Sequence, residues 1–171
     1  MKRTISLISL LLVCLCAHAQ DCFSVQDGHV IWQEVYQSDM DSLAVAAALI
    51  TNGKVSNFVG IPGGLTCKID PHYVDYEGAG FLRRQVATLL LGCPMEARAV
   101  IEFREGRYRV TVSEITFLPG AVTYLGVSHI EDFTTRDGDF NRSFYSTHAD
   151  AVIDYDINSI FELQPAEDEE W

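Results

Sequence analysis

From His29 to Tyr36 (HVIWQEVY) β-branched and aromatic residues dominate, the composition of a strand. The period then changes. Met40, Leu43, Ala44, Ala47 and Ile50 recur at three- and four-residue spacing, as on the buried stripe of a helix. Ser38 can cap that helix, Asp39 and Asp41 suit its first turn, and Gly53 supplies its stop, so a helix is predicted over 39–52. Val55 to Ile61 and Leu65 to Ile69 are apolar runs separated by Pro62-Gly63-Gly64, which predicts a hairpin.

Further on, Ala99, Ile101 and Phe103 alternate with Arg98, Val100, Glu102 and Arg104, a strand with one wet face. Glu105-Gly106 is a two-residue connection, after which Arg107 to Phe117 resumes with Tyr108, Val110 and Val112 inward. Glu114 breaks the alternation, and Ile115 and Phe117 then fall on odd positions. Either the strand flips its buried face or a β-bulge near Ser113 and Glu114 absorbs one residue; the bulge is the reading adopted. Residues 73–81 and 83–91 have no decisive period, and residues 120–146 read as a long irregular segment rich in Asp, Gly, Asn and Ser. Helical spacing returns over 147–163, with Ala149, Val152, Ile153, Ile157, Ile160 and Phe161 on one face and Ser146 or Thr147 as cap.

The order strand, helix, four or five mostly antiparallel strands, helix predicts an α+β fold: a curved antiparallel sheet with two helices packed on one face. It occupies residues 29–163 as one domain, preceded by an extension over 20–28 and followed by an acidic tail over 164–171 that should be solvated.

The first nineteen residues change the picture of where this domain goes. Lys2 and Arg3, the uncharged run Ile5 to Cys16 and the small residues of Ala17-His18-Ala19 form the zones of a secretory signal peptide in order. The apolar run is about twelve residues, short of the ~20 a membrane-spanning helix requires, and no cysteine follows a small residue as a lipoprotein signal needs. A periplasmic or secreted protein without stable membrane insertion is expected. Cleavage would take 19 residues from 171 and leave 152, and with Lys2 and Arg3 gone the formal charge would move from −12 to −14. That acidity repels phosphate backbones, so nucleic acid is a poor partner. Cys22, Cys67 and Cys93 would remain. Export permits a Cys67–Cys93 disulfide, whereas the alternation around Leu65, Cys67 and Ile69 fits a buried thiol equally well.

The stretch from His29 to about Phe117 resembles a family of exported Bacteroidetes proteins, a domain of unknown function described as having a TBP-like fold. The likeness is carried by Ile31, Trp32 and Tyr36, by Tyr76-Glu77-Gly78-Ala79-Gly80-Phe81 with Arg83, and by Ile101-Glu102-Phe103 leading into Glu105-Gly106-Arg107-Tyr108-Arg109-Val110-Thr111. It implies the TBP-like sheet and helices but not DNA binding, and it brings no catalytic residues.

Candidate chemistry is sparse. Asp137-Gly138-Asp139-Phe140-Asn141 matches the first half of a calcium loop, but Arg142 stands where that loop needs glycine and His148 where it needs glutamate, so a polar turn is the better reading. His29, His72, His129 and His148 lack metal-ligand spacing. There is no Gly-x-Ser-x-Gly elbow, no phosphate loop and no base beside a cysteine, and no cofactor is predicted. The distinctive feature is Arg98, Arg104, Arg107 and Arg109, four cations within twelve residues of a very acidic chain. On a hairpin they share the face opposite Ala99, Ile101 and Tyr108. They could receive an anionic group or an acidic partner, or pair across the strands with Glu102, Glu105 and Glu114. The functional expectation is a non-catalytic binding or structural protein of the cell envelope that engages another macromolecule. A hydrolase with carboxylates assembled in space is the alternative.

Overall fold

Alternation of apolar and polar residues generates most of the molecule. The computed structural model describes residues 22–120 and 126–163. The proposed signal peptide, the acidic tail and residues 121–125 lie outside the described residues. The chain runs β1 (Phe23–Gln26), β2 (His29–Gln37), α1 (Ser42–Asn52), β3 (Val55–Ile61), β4 (Gly64–His72), a 3-10 turn (Arg83–Gln85), α2 (Thr88–Gly92), β5 (Met95–Arg104) and β6 (Arg107–Phe117). It continues with β7 (Ser128–His129), α3 (Glu131–Thr134), β8 (Thr135–Arg136), β9 (Asp139–Phe140), α4 (Arg142–Ser146) and α5 (Ala149–Phe161).

Six strands form one antiparallel sheet in the order β1-β2-β6-β5-β4-β3, with β7 pairing the far end of β6; β8 and β9 make a separate hairpin. Strands β3 to β6 are an antiparallel meander, two tight hairpins (β3–β4 and β5–β6) joined by the longer connection that carries the 3-10 turn and α2. The inner face carries Trp32, Ile69, Ala99, Ile101, Val110 and Val112, all buried, and the helices cover it. Helix α5 contributes Val152, Ile153, Ile157, Ile160 and Phe161 to the same core.

The bulge expected in β6 is present. Between the pairs Arg98↔Ser113 and Glu96↔Thr116, β6 advances three residues while β5 advances two, and Glu114 takes φ 54°. The extra residue lets Ile115 and Phe117 return to the core after Val112. A second bulge lies in β3 between Ser56 and Val59, with Asn57 at φ 55°, and a third in β4, where Pro71 sits beyond the regular ladder.

At Gly64 the strands come unusually close. A Cβ there would stand 2.1 Å from the carbonyl oxygen of Ile101 on β5. Gly64→Ala should therefore cost about 1–3 kcal/mol, the range for forcing atoms into a packed region, read as a lower urea midpoint. An unchanged midpoint would mean that β4 and β5 separate freely here.

Four local expectations need correction. Helix α1 starts at Ser42, because Asp41 accepts the Ala44 amide at 2.8 Å while the Ser38 hydroxyl is used by Met40 N–H. Its buried side chains are Val45 and Leu49, and Leu43 and Ile50 face outward. The extension expected over 20–28 holds a strand of the sheet: Asp27-Gly28, with φ 50° and 82°, turns Phe23–Gln26 back onto β2, as such pairs do in tight hairpins. Residues 126–146 hold short elements too brief to show a period, and α5 begins at Ala149 after His148 takes φ 53°.

The Cys67–Cys93 disulfide does not form, and both thiols are buried. Cys67 pairs in register with Ala99, six residues along the chain from Cys93, which is roughly 20 Å at the strand rise. Bridged Cα atoms lie within about 7 Å. Burial pushes the Cys67 thiol up to about 12.

Candidate functional site

Because the described helices occupy only one face, no helix among the described residues covers the other face of the sheet, and its side chains are the outward members of each alternation. Two regions of it are built differently.

At the end marked by the β5–β6 turn, Arg104 and Arg107 are directly opposed in register, and Arg109 stands opposite Glu102. The Arg109 guanidinium donates to one Glu102 oxygen through Nε, at 2.9 Å, and through a terminal nitrogen. With Val35 of β2 these four side chains line a hollow of about 210 Å³. Arg98 lies farther along β5, 3.5 Å from Glu114 of the bulge. The predicted arginines therefore divide. Arg98 and Arg109 take the cross-strand acids, whereas among the described residues Arg104 and Arg107 have no carboxylate within ion-pair distance. Like charges directly opposite on neighbouring strands destabilise a sheet. In a chain with 24 acidic residues, none of the described ones is placed to relieve this pair.

The second region is a groove of about 740 Å³ between β3 and the β7–α3 corner. Its charged residues are engaged. Lys68 holds Glu96 at 2.7 Å, Arg98 holds Glu114, and Glu131 accepts the Val30 amide at 2.8 Å with His29 3.8 Å away. His129 reaches the Thr116 hydroxyl at 3.4 Å. Among the described residues, no three His, Cys, Asp or Glu side chains gather as a metal site. The half-matched calcium segment is used otherwise: Asp137-Gly138 turns the β8–β9 hairpin, and Asn141 caps α4 at the Phe144 amide.

Sequence reasoning missed the most heavily committed polar group, Asp156. It is wholly buried on the inner side of α5. One of its oxygens takes the His72 ring at Nε2, 2.6 Å, and the other accepts the Asp75 amide at 3.1 Å with Lys54 Nζ 4.0 Å away. The other ring nitrogen of His72 meets the Asp70 carbonyl at 2.8 Å. A carbonyl and a carboxylate are both acceptors, so the ring sits between them as an imidazolium with each nitrogen donating. Burial works against that charge, but the hydrogen bond and charge of Asp156, with the Asp70 carbonyl, outweigh it and raise His72 above its ordinary value. With both nitrogens occupied and no nucleophile attached, the pair holds α5 to the β4 end. The signal for it was the placement of Asp156 among Val152, Ile153, Ile157 and Ile160, where a helix buries its stripe.

The Tyr76 to Phe81 segment has a structural account. Asp75 accepts the Gly78 amide at 2.8 Å, a Cβ on Gly78 would strike that carboxylate and the Tyr155 hydroxyl, and Phe81 stacks on His148 at 4.6 Å. The thiol of Cys22 donates to Glu34 at 3.0 Å, and burial followed by that contact raises its pKa strongly, leaving it poorly suited to act as a nucleophile. No helix among the described residues is long and apolar enough to cross a membrane.

No protein-family model matches the chain, and no curated protein matches it in sequence. Among solved structures it is similar to a TBP-like protein from Parabacteroides distasonis, with TM-score 0.52 and 14% identity over 82% of this chain and 96% of the other. A DUF4468 family protein from Bacteroides ovatus aligns at TM-score 0.49 and 12% identity, over 85% of this chain and 94% of that one. The curved antiparallel sheet with helices on one face and the first of these alignments agree: the chain has the TBP-like fold.

Proposed function

We propose that this is an exported, non-catalytic binding protein of the cell envelope, which holds an acidic macromolecule against the open face of its sheet. The observation that carries the reading is the directly opposed Arg104 and Arg107, left without a carboxylate among the described residues beside an Arg109 already neutralised by Glu102. Guanidinium forks in that arrangement suit carboxylate or phosphate groups. The hydrolase alternative would draw on Glu96, Glu114 and Glu131 of the wide groove. Each of these is already engaged by a cation or a backbone amide, an arrangement that supports binding over acid–base work.

The test is capture of envelope components by the mature protein, identified by mass spectrometry, with polyglutamate resin as a defined probe. Arg104→Glu/Arg107→Glu should lower retention on the resin at least about tenfold, and retention by the native protein should fall as salt rises. Both residues are exposed, so the melting temperature should hold. Equal capture by the double variant would overturn the reading.

A further inference from the structure

Helix α1 is apolar nearly all round. Its sequence from Ser42 to Asn52, SLAVAAALITN, contains no charge, yet only Val45 and Leu49 are buried. Leu43 is 77% exposed and Ile50 60%, the two most exposed large apolar side chains among the described residues. With Ala47 they recur at the four- and three-residue steps that place side chains on one face of a helix. A helix apolar on every side is normally covered on every side, and here the described residues cover only the Val45 and Leu49 side and leave the Leu43 and Ile50 side exposed.

The surroundings identify the occupant. From Ser42 to Cys67 the sequence has one charge, Lys54, and that ammonium is turned toward Ser159 and Asp156, away from the exposed stripe. Elsewhere the chain is acidic, with a formal charge of −12, and Asp39 and Asp41 stand at the helix's amino end, so two copies repel least along the uncharged body of α1. The stripe also complements itself. In an antiparallel pair of α1 helices related by a two-fold axis near Ala47, Leu43 of each copy meets Ile50 of the other, and the small Ala47 at the axis lets the backbones approach. A surface that pairs i with j and j with i is what a two-fold dimer requires.

We infer that α1 is the contact surface of a homodimer, formed by a second copy of this chain packed antiparallel on the Leu43-Ala47-Ile50 stripe. An eleven-residue helix is only about 16 Å long, so the interface falls in the small class and the dimer is a weak one, with Kd in the micromolar range.

Sedimentation equilibrium of the mature protein over about 1–300 µM tests this. Conversion from monomer to dimer within that range is expected. Leu43→Glu/Ile50→Glu should raise Kd about 100-fold or more, with an unchanged circular dichroism spectrum because neither side chain is in the core. Ala47→Cys should cross-link across the axis under mild oxidant, and Gln26→Cys on β1 should not. A native protein that stays monomeric throughout, or a dimer indifferent to the double glutamate variant, overturns the inference. A monomer that floats with phosphatidylcholine vesicles overturns it too and assigns the stripe to lipid.

Discussion

Asp156→Ala should destabilise the protein by about 3–5 kcal/mol, because it leaves the His72 imidazolium without its counter-charge in a mostly buried site. It also strands the Asp75 amide, whose hydrogen bond ends on the same carboxylate. Chemical denaturation followed by circular dichroism measures the loss, and a value under about 1 kcal/mol would show that α5 does not depend on this anchor. Replacing both partners, as His72→Leu/Asp156→Leu, should recover part of the loss and not all of it, since the Asp75 amide stays unpaired.

The same pair sets a pH dependence. The unfolded chain releases the His72 proton near the ordinary histidine value of about 6.5, while the native state holds it to a higher pH. Between the two values the native state binds more protons, so stability falls as pH rises. The contribution is complete below the unfolded value and is lost as pH climbs through the raised native one. Melting curves across that window should decline for the native protein and flatten for His72→Gln; a parallel decline in both would assign the effect elsewhere.

Trp32→Ala is the second large effect expected, again about 3–5 kcal/mol, the range for truncating a buried aromatic. Trp32 is fully buried between β2 and α5, and its indole N–H donates to Asp154 at 2.7 Å. Trp32→Phe separates the contributions. It keeps most of the packing, loses the hydrogen bond and should cost about 1–2 kcal/mol. If phenylalanine cost as much as alanine, the polar contact and not the packing would hold the helix here.

Strands β2, β5 and β6, and the inward face of α5, were legible because each buries one side and wets the other, which writes a period into the residues. Helix α1 misled for the opposite reason. With apolar residues on every side, spacing selects no face, and the true inward pair, Val45 and Leu49, is as regular as the outward one. The short elements between 126 and 146 are two to five residues long, less than two helical turns or three strand alternations, so no period can be seen in them. On the open face, the arginine cluster was legible in composition. Its division was not, since which guanidinium meets which glutamate depends on the register of β5 against β6.

The order of the strands has a consequence for how the chain reaches this state. Strands β3 to β6 each pair with the strand next in the chain, but β2 adds to β6 across separations of about seventy to eighty residues, from Gln37↔Arg107 to Trp32↔Val112. The Trp32 indole then waits for a partner 122 residues away, on the last helix. Such distant contacts are slow to form. The core is therefore complete only when the amino-terminal strands and the carboxy-terminal helix have both been placed, and a chain lacking α5 would lose the cover that Val152, Ile153, Ile157, Ile160 and Phe161 give to the sheet's apolar face.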